Sequence, residues 1–192
     1  MRNQMAVMAA TALFSISIHA RAAEPAKPAE AAKPAAPEKM EPPKVAPEND
    51  VIKKSVGTWK CEGSAKGPDG AEMKYTSSWA VKSSLGGHWY SITYKRSKMG
   101  PMPAFEGNAT IGWSAADKKY WFVGQDNMGG WINLTSTDGA NYAGEGTPMA
   151  KKVPVKFAFS AGKDKKGQES DKLFEVTFDF AGGGTSHESC KK

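Results

Sequence analysis

The sequence predicts an all-β protein, a single antiparallel up-and-down barrel of about eight to ten strands. Three observations carry this. From Gly57 to the C-terminus, apolar and polar residues alternate with period two in short segments. Tight turns rich in Gly, Pro and Asp separate the segments. No amphipathic helical stretch lies between them, which argues against an α/β fold. Consecutive hairpin-like connections favour a closed barrel, because closure removes exposed strand edges. A β-sandwich is the alternative architecture.

The chain opens like an exported protein. Arg2 gives a thin positive start, Met5 to Ile18 is uncharged and mostly apolar, and Ala20-Arg21-Ala22 supplies small residues before a cleavage site. Residues 1–22 are therefore expected to be a signal peptide, cut after Ala22. The apolar run is shorter than the ~20 residues that span a bilayer. No Cys precedes Cys61, so a lipid anchor next to the cleavage site is not expected. The expected address is periplasmic or secreted, with no stable membrane insertion.

Residues 23–50 are almost entirely Ala, Pro, Lys and Glu. Such a segment has too little apolar surface to offset its ordering entropy, so a disordered, extended linker is expected. It serves either as a spacer or as a tolerated solvated leader. Residues 51–192 remain as the barrel domain, long enough for one core of its own.

This domain holds 20 basic and 14 acidic residues, and Arg96 is its one arginine. Lysines spread singly along strands keep a β surface soluble and its edges unattractive. Nucleic-acid binders cluster Arg and Lys among exposed aromatics, and only Lys163-Asp164-Lys165-Lys166 comes near that pattern. No nucleic-acid partner is expected.

Asn49 or Asp50 is placed to cap a short helix through Val51, Ile52 and Val56, a plug for one barrel end. The first strand puts Trp59, Cys61 and Gly63 on one face. Pro68-Asp69-Gly70 makes a turn, since Pro fixes φ and Gly takes the left-handed position. Met73, Tyr75, Ser77, Trp79 and Val81 then share a face. After Gly86-Gly87 comes a face of His88, Tyr90, Ile92 and Tyr94. Phe105, Gly107, Ala109, Ile111 and Trp113 make the next. Tyr120-Trp121-Phe122-Val123 is apolar on both faces, as in a central strand or an interface. Trp131 to Thr135 precedes the hairpin signal Asp138-Gly139. Val153, Val155, Phe157 and Phe159 alternate cleanly, as do Phe174, Val176, Phe178 and Phe180. Thr185 to Cys190 is a short last strand.

The two cysteines, Cys61 and Cys190, fall in the first and last predicted strands, which are neighbours in an up-and-down barrel. Exported proteins commonly pair such cysteines, so a Cys61–Cys190 disulfide is expected. Neither has a CxxC neighbour, and no redox-active pair is read.

Several short motifs resemble one bacterial family, domain of unknown function 1579. They are Val56-Gly57-Thr58-Trp59, Leu85-Gly86-Gly87-His88-Trp89, Glu106-Gly107 leading to Ile111-Gly112-Trp113, Lys119-Tyr120, and Asp126-Asn127-Met128-Gly129. The resemblance spans about residues 51–192 and implies a lipocalin- or calycin-like barrel with no established activity. The chain departs from it at His88 and at the ending His187-Glu188-Ser189-Cys190. More distantly the architecture is similar to fatty-acid-binding and nitrobindin-type barrels. That second likeness implies a minor alternative, haem held through His187.

Local signatures of catalysis are missing. There is no HxH, HExxH, GxSxG or phosphate-loop pattern. No cofactor, metal or catalytic residue is assigned, and an enzyme is the less favoured reading. Asp126 and Glu188 are placed facing inward by alternation. A His88–Asp126 pair inside a cavity would favour a hydrolase or isomerase. Trp89, Trp121 and Trp131 are left without a face; exposed and clustered, they would mark a binding rim or a contact between copies.

The function expected from all this is binding of a small apolar or amphipathic ligand inside the barrel. Trp59, Tyr75, Trp79 and His88 are expected to line the site, with Tyr90, Tyr94, Phe105, Phe157 and Phe178. These assignments rest on alternation, and a one-residue slip would turn a whole strand inside out. The alternative is a filled barrel acting as an envelope or interaction protein.

Overall fold

The computed structural model describes residues 42–67, 69–148 and 151–192. The expected signal peptide, and the linker up to residue 41, lie outside the described residues.

Ten strands form one closed antiparallel barrel. They are β1 (Gly57–Lys66), β2 (Glu72–Ser84), β3 (Trp89–Arg96), β4 (Phe105–Ser114) and β5 (Lys119–Asp126), then β6 (Trp131–Ser136), β7 (Asn141–Gly146), β8 (Val153–Lys163), β9 (Glu169–Phe180) and β10 (Gly184–Lys191). Every strand pairs with its sequence neighbours, and β1 pairs with β10 to close the ring. No open edge is left, so the barrel prevails over the sandwich alternative.

Alternation explains the interior. In β2, Tyr75, Ser77, Trp79 and Val81 are buried while Lys74, Thr76 and Lys82 point outward. The same rule buries Trp59 and Cys61 in β1, Val155 and Phe157 in β8, and Glu188 and Cys190 in β10. The rings pack on one another: Trp79 against Phe157 at 6.1 Å and Phe178 at 6.3 Å, and Phe157 against Phe178 at 4.4 Å.

The end where the chain enters β1 is plugged. A 3-10 turn (Pro47–Asn49) leads into α1 (Asp50–Lys53), which buries Ile52 in the core. Asn49 sits at the N-cap position but makes no cap hydrogen bond. Its amide instead bridges strands, donating to the His88 carbonyl at 3.0 Å and accepting from the Trp113 backbone N–H at 3.1 Å. A helix this short gains little from a cap, whereas the barrel rim has backbone groups to satisfy. Tyr120 donates to the Glu48 carbonyl at 2.9 Å, and the Trp59 indole to that of Ser55 at 2.7 Å.

The far end is partly covered by the loop 97–104. Met99 and Met102 pair as an isolated bridge and, with Met73, pack over Tyr75 and Ala65.

Cys61 faces Cys190 directly in the β1–β10 register, and the two form a disulfide. It joins residues 129 positions apart. The expected effect of replacing both by Ser is a loss of about 2–5 kcal/mol in unfolding free energy. Urea unfolding of the two forms measures it; equal stabilities would show that closure does not depend on the bond.

Candidate functional site

The chemistry of the interior centres on Glu188. Its position on β10, between outward-facing His187 and Ser189, turns the side chain into the barrel, where it is 0 % exposed. A bare carboxyl at such a place would be costly. It is held by two donors: the Trp79 indole N–H reaches Oε2 at 2.7 Å and the Tyr94 hydroxyl reaches Oε1 at 2.7 Å. Trp79 and Tyr94 are register partners across β2 and β3, with rings 4.8 Å apart. Neighbouring strands thus aim one donor at each oxygen.

Tyr75 lies beside the same carboxyl and beside Ser186. Its ring occupies the space over Gly63, its partner on β1, where a Cβ would come within 2.5 Å of the ring. Only glycine allows that approach. Toward the far end, the Arg96 guanidinium lies 5.8 Å from the Tyr75 ring centroid and 5.4 Å from that of Phe105. One of its N–H groups donates to the Pro103 carbonyl at 3.3 Å.

Three buried polar atoms have no hydrogen-bond partner among the described residues: Ser77 Oγ, Arg96 Nε and the Tyr142 hydroxyl. Buried polar groups are normally satisfied, so each marks a place where a further group would be welcome. Several interior-facing residues near the far end are only partly buried, among them Phe105, Ala109, Ile132, Phe178 and Phe180.

All five tyrosines of the chain are held above the ordinary phenol pKa, in each case chiefly by burial. For Tyr94 and Tyr75 the Glu188 charge adds to the effect, and the hydrogen bond to its carboxyl adds again.

The residues assigned from sequence fall into three groups. Tyr75, Trp79, Tyr94, Phe105, Phe157 and Phe178 do share the interior around Glu188. Trp59 and Tyr90 are core residues nearer the plugged end; Trp59 packs edge-on against Phe174 at 4.6 Å. His88 is not on a strand face at all. Gly86 takes φ 69°, the turn runs through His88, and β3 begins at Trp89.

A His88–Asp126 pair is ruled out because β3 begins at one end of the barrel and β5 finishes at the other. Asp126 serves its own turn, accepting from the N–H groups of Met128 and Gly130 at 2.8 Å each. His187 faces outward and pairs with Glu175 at 2.9 Å, so it cannot ligate haem inside this barrel. Cys61, Cys190 and Glu188 are close enough to suit a metal ion, but the sulfurs are joined to each other, and a metal takes the thiolate. Sequence reasoning misses Arg96. Its place in the inward alternation Ile92, Tyr94, Arg96 is the available signal.

Two outcomes test this site. Glu188→Ala strands two donors in the core and is expected to cost about 3–5 kcal/mol, while Glu188→Gln keeps shape and one acceptor and costs about 1–3 kcal/mol. Chemical denaturation measures both. The raised tyrosine pKa values mean that their stabilising contribution is complete below about pH 10 and is lost as pH rises beyond it. Phenolate absorbance is therefore expected to appear together with unfolding. A tyrosine titrating reversibly near pH 10 in the intact barrel would contradict the packing described.

Two solved structures are similar to this chain. Rv2717c from M. tuberculosis is 12% identical, with a TM-score of 0.56, covering 78% of this chain and 99% of that one. A de novo designed fluorescence-activating β-barrel is 15% identical, with a TM-score of 0.42, covering 74% of this chain and 97% of that one. A search of curated proteins finds no significant match. The family model described as "Protein of unknown function (DUF1579)" matches residues 44–165, well over half of the sequence, and the chain belongs to that family.

Proposed function

We propose that the protein is an exported binding barrel for a small amphipathic molecule, taken up from the far end. The observation that carries this is the pair of unpartnered polar atoms, Arg96 Nε and Ser77 Oγ, buried in an interior that also holds the rings of Tyr75, Trp79, Phe105 and Phe178. An apolar ligand body suits Phe105, Phe178 and Phe180. An acceptor on the ligand, such as a carbonyl or carboxylate, would take the Arg96 Nε proton in a hydrogen bond. This is the usual form of a small-molecule site, apolar walls with few polar anchors.

The disulfide speaks for an oxidising compartment outside the cytoplasm. No helix among the described residues is long and apolar enough to cross a membrane. Together with the signal-like residues 1–22, the disulfide supports a periplasmic or secreted location.

A filled barrel acting through its surface is the second reading. It is favoured by the dense ring packing around Trp79 and Phe157, and by two depressions that lie on the outer surface.

Native mass spectrometry of the full chain from an exporting host separates the two. Binding is expected to appear as a co-purified small molecule released on denaturation. The amphiphile anilinonaphthalene sulfonate is expected to bind the intact barrel, about tenfold more weakly after Arg96→Ala. A bare chain that ignores this probe would overturn the carrier reading in favour of the filled barrel.

A further inference from the structure

Three of the four methionines among the described residues gather at one place, the far end of the barrel; Met128 is the fourth. Met99 and Met102 are the two ends of the turn Met99-Gly100-Pro101-Met102. They exchange a pair of backbone hydrogen bonds: the Met102 N–H donates to the Met99 carbonyl at 2.9 Å, and the Met99 N–H to the Met102 carbonyl at 3.0 Å. Residues paired in this way carry their side chains on the same face. Met73 arrives from β2, and its Sδ lies against the tip of that turn. A Cβ on Gly100 would stand 2.9 Å from this sulfur, so glycine leaves the room it occupies. All three side chains pack in one cluster with Tyr75 and Ala65. Met99 is 4% exposed, while Met73 and Met102 are half-buried, so a solute can reach the cluster from outside.

We propose that this cluster is a site for a soft monovalent metal ion, Cu(I) or Ag(I), held by the thioethers of Met73, Met99 and Met102. The donor set selects the ion. A thioether is neutral and polarizable, which suits Cu(I). Zinc, magnesium and calcium seek imidazole, thiolate or oxygen ligands, and three methionines offer none of these. The Arg96 guanidinium, 5.8 Å from the Tyr75 ring centroid, places one positive charge nearby, and this opposes a divalent ion more than a monovalent one. Both cysteines are joined to each other, so thioethers are the soft sulfur left to bind a metal. The turn also holds its side chains in place, because Pro101 fixes φ and the two backbone bonds tie its ends. A cover that had only to be apolar would be served better by Leu or Ile, whose packing is more sharply defined than that of flexible methionine. The site is separate from the interior around Glu188 and does not depend on any ligand there.

The test is an NMR titration of the full exported chain, its methionine methyl groups isotope-labelled, with Ag(I) in chloride-free buffer and with Cu(I) under anaerobic conditions. The expected result is one ion per chain, with shifts at the Met73, Met99 and Met102 methyls and none at Met128. Met73→Leu and Met102→Leu keep the apolar cover, and each is expected to weaken binding about tenfold with little change in melting temperature. Met128→Leu is expected to change nothing. Affinity is expected to be equal at about pH 5.5 and about pH 7.5, because a thioether has no proton to lose, whereas a histidine site would weaken at the lower value. Zn(II) is expected to leave the three methyls unmoved. Absence of shifts at those methyls with either monovalent ion overturns the proposal, whatever the variants do. Binding that survives replacement of all three methionines by Leu, or that is lost at the lower pH, also overturns it and assigns the ion to other residues.

Discussion

The pairing of β1 with β10 is the constraint on which the rest of this molecule depends. Without it the strands would form a curved sheet with two open edges. Joining Gly57–Lys66 to Gly184–Lys191 removes those edges and creates an inside. It also fixes the inward set of β10, Ser186, Glu188 and Cys190, against Cys61 and Gly63. The disulfide and the buried carboxyl are thus products of one event, the meeting of the two ends of the domain. Contacts this distant in sequence carry a large loop-closure entropy, which the cross-link removes from the unfolded state.

Once closure is made, the interior divides. Toward the entry end it is sealed by the chain itself, through Ile52, the Asn49 bridge and the hydrogen bonds to Glu48 and Ser55. Toward the far end it becomes polar in a few chosen places. Glu188 is satisfied by Trp79 and Tyr94, while Arg96 and Ser77 keep unused capacity. A fold optimised for stability alone would fill this region with aliphatic side chains, because buried polar networks add little net stability. The polar half is therefore the part of the interior on which the proposed binding rests.

Much of this is legible from residues alone. The alternation of Tyr75 to Val81, of Val153 to Phe159 and of Phe174 to Phe180 declares both strand and face. The turns at Asp138-Gly139 and Gly86-Gly87 set the boundaries, and the cysteine positions imply their pairing. What stays hidden needs geometry between distant segments. Alternation turns Glu188 inward, but its partners Trp79 and Tyr94 are 109 and 94 residues away and meet it only across the closed barrel. His88 reads as part of a strand face because alternation cannot sense a turn whose backbone bends at Gly86. Asn49 has the residue type of a cap and the job of a bridge. Trp121 has no face assigned by pattern because its apolar neighbours Tyr120 and Phe122 erase the period-two signal, and Trp131 has none because it opens its strand straight after Gly129-Gly130.

The central claim is that the β1–β10 seam seals Glu188 and its Trp79 indole donor from water in the folded state. The most direct measurement is hydrogen exchange at the Trp79 indole N–H by NMR. The account predicts exchange as slow as that of the most protected backbone amides, governed by global unfolding. Rapid exchange at that indole, with the β2 and β10 amides still protected, would mean that water reaches Glu188 in the intact barrel and would contradict the account.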